Sequence, residues 1–432
     1  MPQQNGYSNA GGRKEIIPLK IGIIGAGASG LMTAICAAAS EKNEIFLFER
    51  QDRVGRKILS TGNGRCNLTN TNMDADRYHG TGSGLAWRLI SKFGPAETLA
   101  FFRELGLITV VEPGGRAYPF SDKANSVLDI LRSAADRKNI HMLTGVRDIK
   151  IGKTKNGFSV SNKYGEEDSV HRETFDRIVI CCGSEASPKL GATKDGYELL
   201  KSFGHKFIET HPALVRLKCN REDIKGLKGI RQDADISLCC KNGTVIAQNS
   251  GEIQFTDTGL SGPCIFDISG SVSADKRPKY IKADLMPLLT GDEVREYIRN
   301  KIDGNPAAPA KELFTGMFHS RIGMAVVQKS EVSPEMSVGR LTGKDTEKLV
   351  RTVKEYIFRD VTAEDFREAQ VAAGGIDARD FTDSLESRLC PGLYAAGEVL
   401  DVDGDCGGYN LQWAWTSGYT VGSALKDLAE NG

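Results

Sequence analysis

The chain has 432 residues, room for two or three domains at ~100–200 residues each. Lys plus Arg and Asp plus Glu both number 56, so the net charge is zero. That argues against a protein whose affinity rests on gripping phosphate backbones. Hydrophobic residues at 40% and charged residues at 26% exclude global disorder.

Glycine is the departure, at 48 of 432 residues against a usual ~7%. Glycine weakens helices and strands, so an excess belongs in loops with unusual backbone angles or close ligand approach. In chain order, the first eighteen or so residues are polar, with no signal-peptide pattern. Residues 20–25 (KIGIIG) read as a buried strand, 28–40 as an alanine-rich helix and 44–49 (EIFLFE) as a second strand, together a βαβ unit. A helical stretch follows over 85–105 and another over 125–137. Strands are expected at 140–151 and 157–162, with Asn156-Gly157 as their turn, and a buried strand at 176–182 ends at Gly183. From about 205 the character changes. Residues 212–287 read as short strands, and 290–357 as largely helical, opening on a Thr290-x-x-Glu293 capping box. Buried strand runs return from about 366 (AQVAAGG, GLYAAGEVL), and a helix over 412–429 ends the chain. No apolar run reaches the ~18 residues of a membrane span. The ten cysteines are scattered without a C-x-x-C or zinc-ligand spacing, which points to a reduced, cytoplasmic protein with no metal site.

Three glycine-rich segments carry chemistry. Gly25-Ala26-Gly27-Ala28-Ser29-Gly30 lies at a strand-to-helix junction. Gly25 permits the tight turn, Gly27 permits backbone approach to a pyrophosphate, and Gly30 permits close helix–strand packing. The helix N-terminus faces the phosphates, and Glu49, followed by Arg50, suits the hydroxyls of an unphosphorylated ribose, hence FAD or NAD. The second segment, from Arg53 to Asn70, is dense in donors: Arg56, Lys57, Gly62, Asn63, Gly64, Arg65, Cys66 and Asn67 suit a diphosphate or ribityl chain. In the third, a strand ends at Gly397-Glu398 and a helix starts near Asn410. The dipole of that helix, from Gly408, Tyr409, Asn410, Leu411 and Gln412, would face a flavin pyrimidine edge, and Glu398 would bind ribityl hydroxyls. The acidic run Asp401, Asp403, Asp405 lacks the spacing of a calcium loop.

GIIGAGASG, KILSTGNGRCNLTN, FTDTGLSGP and GLYAAGEVLDVDGDCGGYNLQWAWTSG together resemble the BaiN/YhiN-like family of NAD(P)/FAD-dependent oxidoreductases, also described as aminoacetone-oxidase-family FAD-binding enzymes. The resemblance runs from about Lys20 to the end. It implies an α/β fold: a discontinuous Rossmann-like FAD-binding domain with an inserted small β-barrel and a helical subdomain. On that reading 1–19 is a mobile tail, 20–205 and 363–432 form the FAD domain, 206–288 the barrel and 289–362 the helical part. It implies that the three glycine motifs and Gly183 hold FAD, and that Val146 makes a backbone contact to adenine. The family pattern often has His where this chain has Asp257, which argues against an imidazole-based proton transfer there.

For the reaction, Arg116 is a candidate clamp for a carbonyl or carboxylate and Tyr118 a candidate proton donor. Cys66 reads as a packed thiol, and none of the six histidines has triad or metal spacing. No second G-x-G-x-x-G follows a strand, so NADH or NADPH would act as a transient electron donor without its own Rossmann domain. The main expectation is a flavoenzyme that passes electrons from NAD(P)H through FAD to a small enone-like substrate. A flavin oxidase of a small amine or hydroxy compound is the alternative, and a flavin-bound RNA-acting or interaction protein a third. Nucleic-acid and membrane partners are not expected, and the sequence does not speak to oligomeric state.

Overall fold

The computed structural model describes residues 19–165 and 169–431; apart from Leu19, the tail expected over 1–19 lies outside them. β1 (Leu19–Ile24) leads through Gly25–Gly27 into α1 (Ala28–Ala37), and β2 (Asn43–Phe48) follows. Further on come α2 (Ala124–Arg137), β3 (His141–Leu143), then β4 (Arg147–Lys153), β5 (Phe158–Tyr164) and β6 (Ser169–Phe175). Next is β7 (Arg177–Ile180). The last parallel strand arrives some two hundred residues later.

The expected helix over 85–105 is two helices, Ser83–Ile90 and Pro95–Glu104. Pro95 supplies no N–H to continue the first helix and sits well at the start of a second. Glu97 Oε2 accepts the Gly94 N–H at 2.8 Å and caps it. The expected strand over 140–151 is also split. Gly145 takes φ +73°, and the amides of Gly145 and Val146 turn back to the carbonyls of Gln51 and Glu49 at 2.8 and 2.9 Å. β3 therefore joins the parallel sheet, while β4 pairs with β5 and β5 with β6 in a separate antiparallel sheet.

The inserted stretch comprises β8 (Phe207–Ala213), β9 (Leu217–Lys218), β10 (Arg231–Cys240), β11 (Val245–Phe255), β12 (Gly259–Ser261), α3 (Pro263–Ala274) and β13 (Lys279–Asp284). It continues with α4 (Gly291–Gly304), α5 (Ser320–Lys329), α6 (Gly343–Lys354), β14 (Tyr356–Phe358) and β15 (Thr362–Ala363). Seven strands form one sheet in the order β14-β13-β10-β11-β12-β9-β15. Its two edge strands are consecutive in the chain and joined by residues 359–361, a link that spans no more than ~14 Å. The sheet must therefore curl until its edges are neighbours, although no ladder between β14 and β15 closes it. The capping box at α4 forms, with Glu293 N–H to Thr290 Oγ1 at 3.2 Å and Thr290 N–H to Glu293 Oε2 at 2.7 Å. α3 corrects the all-strand expectation for 212–287. Gly262-Pro263 starts it, and Cys264, Ile265, Ile268, Ser269 and Val272 bury one face.

β16 (Val371–Ile376), β17 (Leu393–Ala395) and α7 (Tyr409–Asn431) finish the chain. β16, expected within the dinucleotide fold, instead pairs antiparallel with β8, so the outgoing and returning connections of the insert run side by side. β17 completes a five-stranded parallel sheet in the order β17-β7-β1-β2-β3. Ile21, Ile23, Leu47, Ile178 and Val179 are fully buried in it, as expected of parallel strands covered on both faces. One hydrophobic core gathers residues from Ile21 to Leu200 and from Ile376 to Leu425; a second gathers Leu217 to Val361.

α7 lies along α1, so the end of the chain seals its beginning. Close approach is set by two glycines: a Cβ on Gly418 would stand 2.5 Å from the Ser29 carbonyl oxygen, and one on Gly422 2.5 Å from Cys36 Cβ. Overpacking of this kind costs about 1–3 kcal/mol, more than the ~1 kcal/mol alanine gains over glycine in a helix. Gly418→Ala is therefore expected to lower the urea-unfolding free energy by about 1–2 kcal/mol; an unchanged or raised midpoint would refute this packing account.

Candidate functional site

A cavity of about 1350 Å³ opens at the C-terminal edge of the parallel sheet, between it and the insert. Its walls come from the turns after β1, β2, β7 and β17 and, across from them, from β10, β11 and the start of α3. Ligands of open parallel sheets bind at this edge. The volume exceeds the ~300–1,000 Å³ of a single drug-sized site, leaving room for a dinucleotide and a second molecule. Three helices begin at this cavity: α1 at Gly27–Ser29, α3 at Gly262-Pro263, and α7 at Gly408–Leu411. Each presents unpaired N–H groups and a positive dipole end.

In the first glycine motif two glycines are packed tight and one is left open. Gly25 has φ +103°, and a Cβ there would meet the Cys181 carbonyl oxygen at 2.5 Å; a Cβ on Gly30 would collide with the Gly25 carbonyl oxygen. Gly27, by contrast, has no atom within 4 Å of its Cβ position and lines the cavity beside Ala28 and Ser29. A gap held open at that one glycine is what a diphosphate over a helix N-terminus requires. Glu49 lines the same wall. Its carboxylate accepts the Ala26 N–H at 3.0 Å and the Gln51 N–H at 2.9 Å, and burial raises its pKa above the ordinary range. The Val146 amide donates to the Glu49 carbonyl, so the backbone contact expected there has only the Val146 carbonyl to offer.

The second motif is divided. Gly62, Asn63 and Gly64 all take positive φ (+55°, +57° and +85°), a run of left-handed residues that turns backbone N–H groups to one side. Gly62, Asn63 and Asn67 line the cavity. Asn67 Oδ1 is buried without a hydrogen-bond partner. Arg56 lines it too and donates to Gln51 Oε1 at 2.6 Å; Arg50, also on the wall, pairs with Asp195 at 3.1 Å. Arg65 lines the cavity as well. Its guanidinium pairs with Glu112 at 2.6 Å and with Asp122, and lies 3.9 Å over the Tyr118 ring, so its charge is already shared with two carboxylates. Gly64 and Cys66 stand back from the cavity; Cys66 is fully buried and burial pushes its thiol up to about 12.

In the third segment Glu398 lines the cavity, but protein donors already hold both oxygens: Lys57 Nζ at 2.7 Å, Ser184 Oγ at 2.8 Å and the Ala372 N–H at 3.0 Å. Gly183, Gly408, Asn410 and Leu411 also line it. Gly397, Tyr409 and Gln412 do not. Gly397 packs on Ser29, where a Cβ would meet Oγ at 2.5 Å. The Tyr409 hydroxyl donates to the Asn72 carbonyl at 3.1 Å, and buried Gln412 is bonded to Thr69, Thr98 and Thr416. Trp413 reaches the wall while its Nε1 donates to the Gly397 carbonyl; Trp415 is buried, donating to the Leu68 carbonyl. Of the acidic run, Asp401 accepts the Thr81 N–H and Asp405 pairs with Arg77 and His79, while Asp403 has a buried Oδ1 without a hydrogen-bond partner and is pushed up to about 6 by burial.

Arg116 and Tyr118 share one face of the strand Arg116–Pro119 and line the cavity, while Ala117 and Pro119 are buried on the other. Among the described residues no carboxylate pairs with Arg116. Burial raises the Tyr118 pKa, with Arg116 and Arg65 opposing, so the phenol remains an O–H donor at neutral pH. Asp257 is exposed, pairs with Lys228 at 2.7 Å and lies off the cavity wall, as does His211.

The insert contributes wall residues that no motif assignment had singled out. Ser261, Gly262, Pro263 and Phe266 line the cavity, and the α3 residue Asp267 accepts the Cys406 N–H at 2.7 Å and tethers the insert to the glycine loop. Burial pushes Asp267 up to about 6. The available signal was FTDTGLSGP itself, whose Gly262-Pro263 marks a helix start.

The chain matches the family described as HI0933-like protein Rossmann domain over residues 19–424. It is 38% identical over 413 residues to the 3-dehydro-bile acid delta(4,6)-reductase of Clostridium scindens, covering 94% of this chain and 99% of that protein. It is 26% identical over 409 residues to the ribosomal RNA dihydrouridine synthase of Escherichia coli, covering 93% and 97%. A 3-ketosteroid delta1-dehydrogenase from Sterolibacterium denitrificans superposes with a TM-score of 0.48 at 12% identity, over 94% of this chain and 99% of that one. The chain therefore belongs to the HI0933-like Rossmann family, the BaiN/YhiN family whose motifs it carries, and is an FAD-dependent oxidoreductase.

Proposed function

We propose that this enzyme reduces a carbon–carbon double bond conjugated to a carbonyl in a small organic substrate, with NADH or NADPH as electron donor. The observation that carries the reading is Arg116: a cavity arginine without a carboxylate partner, on the same strand face as a protonated tyrosine. A developing enolate oxygen needs a fixed cation, and its α-carbon needs a proton. The name of the 38%-identical relative describes reduction of double bonds in a 3-keto compound and supports the same chemistry.

FAD supplies the two-electron transfer between nicotinamide and substrate. The chain's own residues do the rest. Gly27 and the α1 N-terminus take the diphosphate, and Glu49 takes the adenosine ribose, with Arg56 nearby for charge. The peptide N–H groups around Gly62–Gly64 and the start of α7 hold the flavin end. Arg116 grips the carbonyl oxygen of the substrate. As hydride adds to the β-carbon, the Tyr118 O–H delivers a proton to the α-carbon, and solvent restores the phenol proton. The net change is one C=C reduced and one NAD(P)H oxidised.

The second reading is favoured by the relative named ribosomal RNA dihydrouridine synthase, since uridine carries the same conjugated C=C–C=O unit. Arg116 and Tyr118 would serve it equally, and the zero net charge weighs against it. Activity on unmodified ribosomal RNA and none on free enones would establish it.

Three outcomes test the main reading. Purified protein is expected to be yellow, and anaerobic mixing with NADH or NADPH to bleach the flavin within seconds; no bleaching by either nucleotide would point to an oxidase. Glu49→Ala removes a charged hydrogen-bond acceptor and is expected to weaken FAD binding about tenfold or more, measured by flavin fluorescence on titration of the apoprotein. Tyr118→Phe is expected to slow reoxidation of the reduced enzyme by an enone about 100-fold while leaving reduction by NAD(P)H unchanged. Equal slowing of both half-reactions would remove Tyr118 from the proton-transfer role.

A further inference from the structure

Reduction of a double bond by NAD(P)H takes one proton from water in each turnover. A cavity filled by a dinucleotide and a substrate leaves little room for water at its inner end, so the proton has to come through the wall. Most carboxylates on that wall are unsuited to pass it. Asp148, Asp195, Glu198, Glu252 and Glu398 are each paired with a lysine or arginine. Such partners keep their protons at any physiological pH. Glu49 is held by backbone N–H groups. Asp405 differs: its Oδ2 accepts from Arg77 at 3.0 Å, but its Oδ1 lies 2.8 Å from Nε2 of His79. Among the described residues it is the wall carboxylate whose partner is an imidazole, the group that gains and loses a proton near neutral pH.

The pair crosses the wall. Asp405 lines the cavity with a side chain only 12% exposed, whereas the His79 side chain is 49% exposed and lies off the cavity wall. Backbone pairing fixes the contact. Tyr78–His79 runs antiparallel to Asp403–Gly404, with His79 opposite Asp403, and the Asp405 N–H donates to the Arg77 carbonyl at 3.0 Å. Asp405 also opens the loop that leads through Cys406 and Gly407 into α7. That loop passes close to Arg116, since a Cβ on Gly407 would stand 3.5 Å from Arg116 Nε. The inner end of the pair therefore stands at the substrate end of the cavity.

We propose that His79 and Asp405 are the proton inlet of the active site, which resupplies the Tyr118 phenol from bulk water. The inference rests on the proposed reduction for the identity of the final acceptor. A bulk proton adds to Nδ1 of His79, the Nε2 proton passes to Asp405 Oδ1, and Asp405 gives it through cavity water to the Tyr118 phenolate. Asp405 is then a carboxylate again, and the neutral imidazole returns its proton to Nε2 by exchange with water. One proton enters for each α-carbon protonated, and no electrons move in the relay.

The surrounding charges favour this direction. Asp403 on the opposite strand and Asp267 on α3 face the pair, with Arg77, Cys406, Tyr78 and Tyr409 around Asp405. The bond to Asp405 raises the His79 pKa above its ordinary value against the effect of burial, and the charges of Asp403, Asp405 and Asp267 add to the rise. Arg77 stays charged, and burial keeps both tyrosines and the thiol protonated. A raised pKa leaves more imidazolium at neutral pH, so the proton supply falls as pH rises through that pKa.

The test uses the FAD-loaded enzyme with cyclohex-2-enone as probe. His79→Gln keeps an amide to hold Asp405 but carries no proton. It is expected to slow reoxidation of the reduced enzyme by the probe about tenfold, to flatten the fall of the wild-type rate with rising pH, and to leave reduction by NAD(P)H unchanged. His79→Ala is expected to regain most of the lost rate when imidazole is added, because the half-exposed position admits it. His171→Gln, an exposed histidine off the cavity wall, is expected to behave as the wild type. A second arm needs no substrate: proton uptake on rapid photoreduction of the bound flavin, followed with a pH indicator, is expected to slow about tenfold in His79→Gln. A wild-type rate and pH profile in His79→Gln would overturn the inlet. So would a loss shared by both half-reactions that imidazole does not restore in His79→Ala. If the wild type turns over no enone, the proposed reduction falls and the proton-uptake arm decides the inlet alone: equal uptake in wild type and His79→Gln removes it, and slowed uptake keeps it.

Discussion

The structure depends on one carboxylate. Glu398 follows the last strand of the parallel sheet, and its two oxygens accept from Lys57 after β2, Ser184 after β7 and the peptide N–H of Ala372 on the returning strand β16. Four segments separated by up to 341 residues in sequence meet at this one group. Charge-assisted bonds to a carboxylate are each worth about 1.5–3 kcal/mol, and removal of the acceptor would leave a partly buried ammonium and a peptide N–H without partners. The insert leaves and returns beside this point, so Glu398 fixes where the second half of the cavity is hung on the first. A side chain expected to face a cofactor from the cavity wall also ties the frame of that wall together.

The same economy appears at the other ends of the cavity. α1, α3 and α7 come from the beginning, middle and end of the chain, yet all open on one space. α7 is placed by Gly418 and Gly422 against α1, and α3 by the Asp267 carboxylate on the Cys406 amide. The positive ends of three dipoles collect charge density without a surplus of lysine or arginine. A neutral chain can thus hold an anionic dinucleotide.

What could be read from the sequence follows from how local each signal is. The βαβ unit, the tight turn at Gly25, the close packing at Gly30 and the positions of Gly27 and Glu49 on the cavity wall are local in sequence, and they stand where the spacing puts them. The capping box at Thr290 is local too. The split of 140–151 was hidden because Gly145 and Val146 are turned by the carbonyls of Gln51 and Glu49, nearly a hundred residues upstream. α3 was hidden because its buried face packs on β11, and short segments of isoleucine, cysteine and serine read equally well as strand. The fate of charged side chains was the least readable. Arg65 and Glu398 both look like cofactor ligands, and both are claimed by partners that only the fold brings near: Glu112 and Asp122 for one, Lys57 and Ser184 for the other.

That last point sharpens the case for Arg116. On the same cavity wall Arg50, Lys57 and Arg65 are each paired with a carboxylate, and Arg56 is held by Gln51. Beside these held cations, a half-buried guanidinium left without an acid carries a standing desolvation cost at its position. Such a cost is offset when a ligand supplies the missing negative charge. The charge need not be permanent, because a carbonyl oxygen that becomes an enolate during reduction supplies it only in the transition state, where the attraction accelerates the reaction instead of merely tightening binding.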